Sequence, residues 1–173
     1  MITVVLSLGS NLGDRAEHLR SAVRALGDSV LLVSGVYETP PWGDQDQPPY
    51  LNAVVLVGEE GRDVEEWLAV AQAVEKAAGR ERDPERRFGP RTLDVDLSSA
   101  TTGESVPILR DDPDLTLPHP RAHLRAFVLR PWLEIQPYAR LAGHGWVYDL
   151  INREPVASDV LTMTARPEIS LES

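Results

Sequence analysis

A chain of 173 residues is long enough to bury a real core and falls within the size of one domain. With 42% hydrophobic and 25% charged residues, wholesale disorder is excluded. A formal charge of -10 speaks against a general binder of nucleic acid or anionic membrane, which needs a broad basic face. The absence of cysteine removes disulfides, thiolate zinc sites and a cysteine nucleophile, and it fits a reducing compartment. With no run of 18 apolar residues and no basic-then-apolar leader, the expectation is a soluble, cytoplasmic protein. Lys76 is the only lysine among 17 basic residues, and it lies inside a predicted helix between Glu75 and Ala77. A Walker A loop is thereby excluded, so any nucleotide chemistry must use arginine and metal.

In chain order, residues 2–8 (ITVVLSL) are a β-branched run that predicts a buried strand. Gly9-Ser10-Asn11-Leu12-Gly13-Asp14 breaks it, and Asp14 can cap a helix in which Ala16, Leu19, Val23 and Leu26 recur until Gly27. Residues 30–37 (VLLVSGVY) predict a second strand. Residues 39–49 hold four prolines and Gly43, too stiff and too polar for a strand. Residues 50–57 (YLNAVVLV) predict a third strand, antiparallel to the second. Asp63 and Glu66 form a capping-box pattern, and Val64, Trp67, Leu68, Ala71 and Val74 make an apolar stripe ended by Gly79, with Gln72 and Glu75 off it.

Residues 80–91 read as an irregular connection, and from Thr92 apolar and polar residues alternate as in a half-buried strand. Residues 101–114 are polar and turn-rich, Leu117-Pro118-His119-Pro120 is a rigid loop, and a short helical stretch follows with Phe127, Val128 and Leu129 as anchors. A last helix is expected around residues 146–151. Beyond Arg153 the pattern fits neither helix nor strand, and partial disorder is one of its readings. The order β-α-β-β-α-β predicts an α+β fold of the ferredoxin-like kind: one domain over residues 1–173, helices on one face, and C-terminal extensions. That architecture by itself says nothing about chemistry.

The last strand of this core turns Leu93, Val95 and Leu97 inward and sets Thr92, Asp94 and Asp96 on the other face. Carboxylates at i and i+2 lie roughly 6.6 Å apart along a strand. They can flank a pair of divalent ions spaced about 3.5–4 Å. Alone, such a pair is more often a solvated outer face. Between Arg80 and Arg91, however, stand five arginines and three acids. Alone these make a loop of internal ion pairs. Beside Asp94 and Asp96 they supply the other half of a polyphosphate site, with arginine forks for oxygens and carboxylates for the bridging metal. A second group is Thr39-Pro40-Pro41-Trp42-Gly43 with Tyr50-Leu51-Asn52. It reads either as a hairpin loop packed on the sheet or as a pocket for a planar heterocycle with amide-like edges.

Taken together, these stretches resemble the 6-hydroxymethyl-7,8-dihydropterin pyrophosphokinases of folate biosynthesis. The resemblance runs through Gly9-Ser10-Asn11, Tyr37-Glu38-Thr39-Pro40-Pro41, Gln45-Asp46-Gln47-Pro48, Tyr50-Leu51-Asn52-Ala53, Gln72-Ala73-Val74-Glu75 and Gly79-Arg80. It continues through Phe88-Gly89-Pro90-Arg91-Thr92-Leu93-Asp94-Val95-Asp96, Leu117-Pro118-His119 and Arg125-Ala126-Phe127-Val128-Leu129. What it implies is transfer of pyrophosphate from ATP, the co-substrate, to the pterin alcohol, with AMP released. It implies two magnesium ions on Asp94 and Asp96, and Arg80, Arg82, Arg91, His119 and Arg125 on the nucleotide's phosphates or ribose. Arg80, Arg82 and Arg91 would join the two aspartates in the catalytic set. Gln72 and Glu75 would line the nucleotide side, with Leu97 and Thr116 near the adenine. Tyr50 and Phe127 would sandwich the pterin, Asn52 would bond its edge, and the main chain of Thr39, Pro40 and Trp42 would complete the pocket. Residues 43–49 and 81–87 would be lids.

The sequence departs from the family's pattern at Phe88 and Pro120, where tryptophan and tyrosine are frequent. It departs again after Leu97, where Ser98-Ser99-Ala100-Thr101-Thr102 replaces an apolar run and implies a shortened or exposed strand end. The arginine loop is about one residue longer, which leaves the role of Arg82 less defined than that of Arg80. The implied partners are the two small molecules, with no nucleic acid and no membrane, acting on a monomer. A palm-type nucleotidyltransferase would need a basic template surface, against the -10 charge. An RNA-recognition module would need aromatic and basic residues on a face that carries Asp94 and Asp96.

Overall fold

The computed structural model describes residues 1–79, 85 and 91–172. Strand β1 (Thr3–Ser10) leads through Asp14, whose side chain accepts the Glu17 N–H, into helix α1 (Arg15–Leu26), which stops at Gly27 in a left-handed conformation. Strands β2 (Val30–Val33), β3 (Tyr37–Thr39) and β4 (Tyr50–Gly58) follow. Helix α2 (Val64–Ala77) opens with the full capping box of Asp63 and Glu66. Strand β5 (Asp94–Thr101) closes the βαββαβ core. After it come β6 (Arg110–Asp111), β7 (Thr116–Leu117), helix α3 (Ala126–Ile135), β8 (Arg140–Leu141), β9 (Gly145–Trp146), helices α4 (Val147–Ile151) and α5 (Val156–Val160), and β10 (Thr164–Ala165). No helix among the described residues is long and apolar enough to cross a membrane.

The main sheet is antiparallel in the order β10-β3-β4-β1-β5, with β2 also on β4. β1 is therefore held on both sides, and its alternating residues serve two different cores. Val4, Leu6 and Leu8, with Leu51, Ala53, Val55 and Val57 of β4, pack under Leu19, Ala22 and Leu26 of α1 and Trp67, Ala71 and Val74 of α2. On the opposite face Val5, Val54 and Leu56 meet Ala126, Leu129 and Trp132 of α3, joined by Leu141, Val147 and Val156. The core helices do lie on one face, as the pattern predicts. The C-terminal extension roofs the other.

Three expectations need correction. The predicted second strand is two, because at Ser34 the side chain enters the ladder: its hydroxyl accepts the Val54 N–H at 2.9 Å. The chain then steps through Gly35 before pairing resumes at Tyr37. The stretch after Leu97 neither shortens nor exposes β5, which runs to Thr101 with Ser98, Ser99 and Ala100 buried. Backbone pairing to β1 holds it, and the register slips there so that Ser98 has no opposite residue. This bulge frees the Ser98 carbonyl from the ladder, and it accepts the His119 N–H at 3.0 Å. Beyond Arg153 the described residues carry regular structure, in α5 and β10. β10 pairs with the outer side of β3, Arg166 ion-pairs with Glu38, and Leu171 is buried in the first core. The tail thus covers an edge strand whose main-chain groups would otherwise invite pairing with another chain.

α3 is pinned at the break between β2 and β3 by one carboxylate. Glu134 accepts the Tyr37 hydroxyl at 2.6 Å and the Gly35 N–H at 2.7 Å. Burial first, then the Glu134 hydrogen bond and charge, push the Tyr37 hydroxyl up to about 12 from 10.0. A folded-state value above the unfolded one means the native protein holds an extra proton between the two, so stability falls as pH rises through that window. Denaturant titrations from pH 9 to 12 should show the wild type losing stability relative to Tyr37→Phe above pH 10. Parallel curves for the two proteins would show that the hydroxyl is not coupled to folding.

Candidate functional site

The same two-residue alternation that divides the cores also builds a polar floor. Along the second face of β1, Val5 gives way to Ser7 and Gly9, and along β4, Leu56 and Val54 give way to Asn52 and Tyr50. The register sets Gly9 between Asn52 on one side and Asp94 on the other. This row is the floor of an open cleft of about 470 Å³, walled by Thr39, Pro40 and Trp42 and overhung by Arg125 and Phe127 from the start of α3. A Cβ at position 9 would lie 3.0 Å from Asn52 Oδ1 and 3.4 Å from the Tyr50 ring, so any larger residue there must push those side chains back by a few tenths of an ångström. Asn52 is buried and its Nδ2 donates to Thr39 Oγ1 at 2.5 Å, which locks the amide's orientation. Phe127, read above as a core anchor, is half-buried and faces the cleft, while Val128 and Leu129 beside it are in the core.

A second cleft of about 1030 Å³ lies beyond β5, lined by Gln72 and Glu75 of α2, Asp96 and Leu97 of β5, and Thr116 and His119 after it. Asp94 borders the first cleft and Asp96 the second, so the two carboxylates stand on the ridge between them. Pro120 also lines the second cleft and gives it an apolar rather than an aromatic wall. His119 is held in place by its bond to Ser98, and its Nδ1 accepts the Arg121 N–H at 3.1 Å. Glu75 is 5% exposed, and its Oε2 accepts the Val95 N–H at 2.9 Å, on the outer side of the edge strand β5. Its carboxylate therefore ties α2 to the strand at the residue between the two aspartates.

Charge is concentrated on that ridge. Arg91 Nη1 lies 3.0 Å from Asp94 Oδ2, and Arg125 Nη1 lies 3.6 Å from Asp96 Oδ2. Burial chiefly, then the charge and hydrogen bond of Asp94, hold the Asp96 carboxyl well above the usual carboxylate range, with Arg125 pulling it down and Glu75 adding to the rise. Arg125 is itself 7% exposed, its guanidinium over the rings of Trp42 at 5.3 Å and Phe127 at 5.4 Å. Burial lowers it, while Asp96 and Asp94 act the other way. Its Nε has no hydrogen-bond partner among the described residues, an orphaned donor at the mouth of the ridge. The donors here are carboxylate oxygens, the set that magnesium or calcium takes. Among the described residues no cluster of three or more His, Cys, Asp or Glu could hold a metal by protein ligands alone.

The structure thus gathers Thr39, Pro40, Trp42, Tyr50, Asn52 and Phe127 into one cleft, with Arg91 and Arg125 beside them, and Gln72, Glu75, Leu97, Thr116 and His119 into the other. Arg80, Arg82 and Phe88 lie outside the described residues, as does the lid expected at residues 81–87 apart from Glu85. Ser7 and Gly9 join the floor without having been assigned a role in the sequence. The signal for Gly9 was the break it makes at the end of a β-branched run. Ser7 carries no local mark.

A family model described as 7,8-dihydro-6-hydroxymethylpterin-pyrophosphokinase matches residues 5–137. A relative from Mycobacterium leprae, named 2-amino-4-hydroxy-6-hydroxymethyldihydropteridine pyrophosphokinase, is 49% identical over 174 residues, covering 95% of this chain and 90% of its own. A relative of the same name from Mycobacterium tuberculosis is 48% identical over 149 residues, covering 84% and 78%. Among solved structures, the wild-type HPPK-DHPS of Plasmodium falciparum is similar in fold, with a TM-score of 0.60 at 13% identity. It covers 87% of this chain, and the chain spans 44% of that longer one.

The raised Asp96 carboxyl has a measurable consequence. Its ionised form is disfavoured in the folded state, so stability falls as pH rises from the ordinary carboxylate range through the raised value. Without divalent cations, Asp96→Asn should therefore melt above the wild type at pH 8. The gap should close as pH falls toward 4. A lower melting point for the variant at pH 8 would show that the Arg125 pair outweighs the burial.

Proposed function

The chain belongs to the 7,8-dihydro-6-hydroxymethylpterin-pyrophosphokinase family, and on that footing we propose that it transfers pyrophosphate from ATP to the hydroxymethyl group of 6-hydroxymethyl-7,8-dihydropterin. The observation that carries this reading is the ridge of Asp94 and Asp96 between two clefts of different character. The first suits a flat heterocycle: Tyr50 and Phe127 offer ring faces, Asn52 an amide edge, and Thr39, Pro40 and Trp42 a stiff wall of main-chain groups. The second suits the nucleotide, with Leu97 and Thr116 toward the base and Gln72, Glu75 and His119 around it.

The alcohol oxygen attacks the β-phosphorus of ATP, the bond from that phosphorus to the oxygen shared with the α-phosphate breaks, AMP leaves, and the alcohol's proton is released to solvent. No covalent intermediate with the protein is needed, because such transfers depend on alignment and on charge neutralisation at the non-bridging oxygens. Arg91 and Arg125 stand at the junction where the β-phosphate would lie, already oriented by Asp94 and Asp96. Arg80 and Arg82 would add positive charge from the segment before β5. Asp94 and Asp96 would hold two magnesium ions, which when bound supply charge neutralisation to the triphosphate and lower the pKa of the alcohol.

The direct test is AMP release from magnesium-ATP with and without the pterin alcohol. Only pterin-dependent AMP supports the reading. Asp94→Ala and Asp96→Ala should each lower turnover by roughly a thousandfold or more, at about 1.4 kcal/mol per decade, without loss of fold. Near-native turnover in the double variant would remove the two-metal assignment.

The two clefts should also separate on titration. Asn52→Ala leaves polar edges of the heterocycle unpaired, a cost of about 1–3 kcal/mol. Phe127→Ala removes a ring face worth about 0.5–1.5 kcal/mol beyond its buried area. Calorimetry should show pterin affinity down by roughly tenfold or more in each, with affinity for α,β-methylene ATP nearly unchanged. Equal weakening of both ligands by Phe127→Ala, together with a sharp loss of stability, would make that ring structural.

A further inference from the structure

Helix α3 roofs only the middle of the sheet's second face. The first cleft lies at its start, and at its end lies a separate cavity of about 1090 Å³. Among the described residues this cavity shares no lining side with either cleft. The bulge in β5 decides its floor. Leu93, Val95 and Leu97 face the core under α1 and α2, and unbroken alternation would send Ser99 after them. Because Ser98 has no opposite residue, Ala100 takes that place instead. Ser99 and Thr101 then turn to the second face, opposite Val5 and Thr3 of β1. The hydroxyl-rich run that departs from the family's apolar pattern is thus a cavity floor.

The groups around this floor are donors in want of an acceptor. Trp132 is 2% exposed, and its Nε1 donates to Gln136 Oε1 at 2.8 Å. That bond orients the Gln136 amide and leaves its Nε2 with no acceptor among the described residues. Ser99 is 8% exposed, and its hydroxyl bonds to no described residue. The hydroxyls of Thr3 and Thr101, by contrast, satisfy each other at 3.0 Å. Arg140 lays its guanidinium over the Trp146 ring at 4.1 Å and forms no ion pair among the described residues. The chain has 27 acidic residues, yet no Asp or Glu is among the described residues that line this cavity.

An amide, a hydroxyl and a guanidinium call for a group that only accepts, and a carboxylate is the strongest of these. The remaining walls are apolar, with Val5, Leu56, Pro107 and Pro137 joined by the edge of Trp132 and, at the rim, Tyr138. Such walls suit a flat body. We propose that this cavity is a second small-molecule site, which takes an aromatic carboxylate. It stands apart from both substrate clefts and does not depend on the pyrophosphokinase reading.

Indole-3-acetate is the probe, and indole-3-acetamide is the same shape without the charge. Binding to the ligand-free full chain is followed by NMR at the Trp132 indole N–H and the Ala139 amide. The wild type should bind indole-3-acetate saturably, with a dissociation constant of about 1 mM or tighter, as ordinary ligand efficiency gives a body of this size. The neutral amide should bind roughly tenfold more weakly. Ser99→Ala removes one hydroxyl and Arg140→Gln one exposed guanidinium. Each should weaken the carboxylate about five- to tenfold, with the melting temperature unchanged. Phe127→Ala, which alters the first cleft, should leave the affinity as it was. Equal affinity for the charged and neutral probes would overturn the proposal, and that comparison needs no variant. An affinity that survives both substitutions would overturn it too, as would the lack of a saturable shift at Trp132, which marks a groove for water alone. Loss of binding in Phe127→Ala would place the probe in the first cleft and end the proposal in the same way.

Discussion

β1 is paired on both sides, and that constraint orders everything around it. A strand with neighbours at both edges cannot rotate or slip without breaking two ladders, so each side chain has an assigned face. Val4, Leu6 and Leu8 anchor one core and Val5 the other, and the same register carries Ser7 and Gly9 to the cleft floor. The site is the end of the second face where apolar side chains run out before the sheet does. The roof helix α3 covers the apolar part and leaves its cap residue Arg125 and the side chain of Phe127 hanging over the polar part.

Charge is accommodated on this frame by mutual restraint. Two carboxylates on one strand face repel, and burial makes Asp96 harder to ionise. Arg91 and Arg125 offset that cost without cancelling it, since Asp96 remains raised and Arg125 is itself desolvated. Glu75 adds a third negative charge but uses it structurally, accepting the Val95 N–H on the open edge of β5. The divalent ions proposed for this ridge would relieve that repulsion. Local strain in charge of this kind is where a binding site and a stability optimum part company.

Much of this was legible in the sequence. The alternation from Leu93 to Leu97 placed three residues inside and two carboxylates outside, because a strand's facing follows from a period of two. The capping box at Asp63 and the stripe from Val64 to Val74 gave α2 for the analogous helical reason. Other features depend on partners that no local pattern names. The split at Ser34 needs the Val54 amide opposite it, and the burial of Ser98, Ser99 and Ala100 needs the neighbouring β1. Glu75 lies off the apolar stripe of its helix, and it is nevertheless buried at the edge of the second cleft because the edge of β5 runs past it. The segment beyond Arg153 is short and weakly patterned, and its described residues are held by tertiary contacts: Val156 in the core under α3, β10 on β3, and Arg20 donating to the Ser170 carbonyl.

The sequence by itself determined the chemical inventory and its spacing: two aspartates one residue apart, arginines in place of lysines, a proline-stiffened loop, and a chain order compatible with a split βαβ sheet. These are properties of neighbours along the chain, and hydrophobic periodicity and residue chemistry report them directly. Only the tertiary structure decided that Asp94 borders one cleft and Asp96 the other, that Arg125 lies against Trp42 and Phe127 in the first cleft rather than in the second, and that Asn11 ties two distant segments together. Each of those depends on strand register and on which helix covers which half of the sheet. These are set by the packing of the whole core, not by any window of sequence.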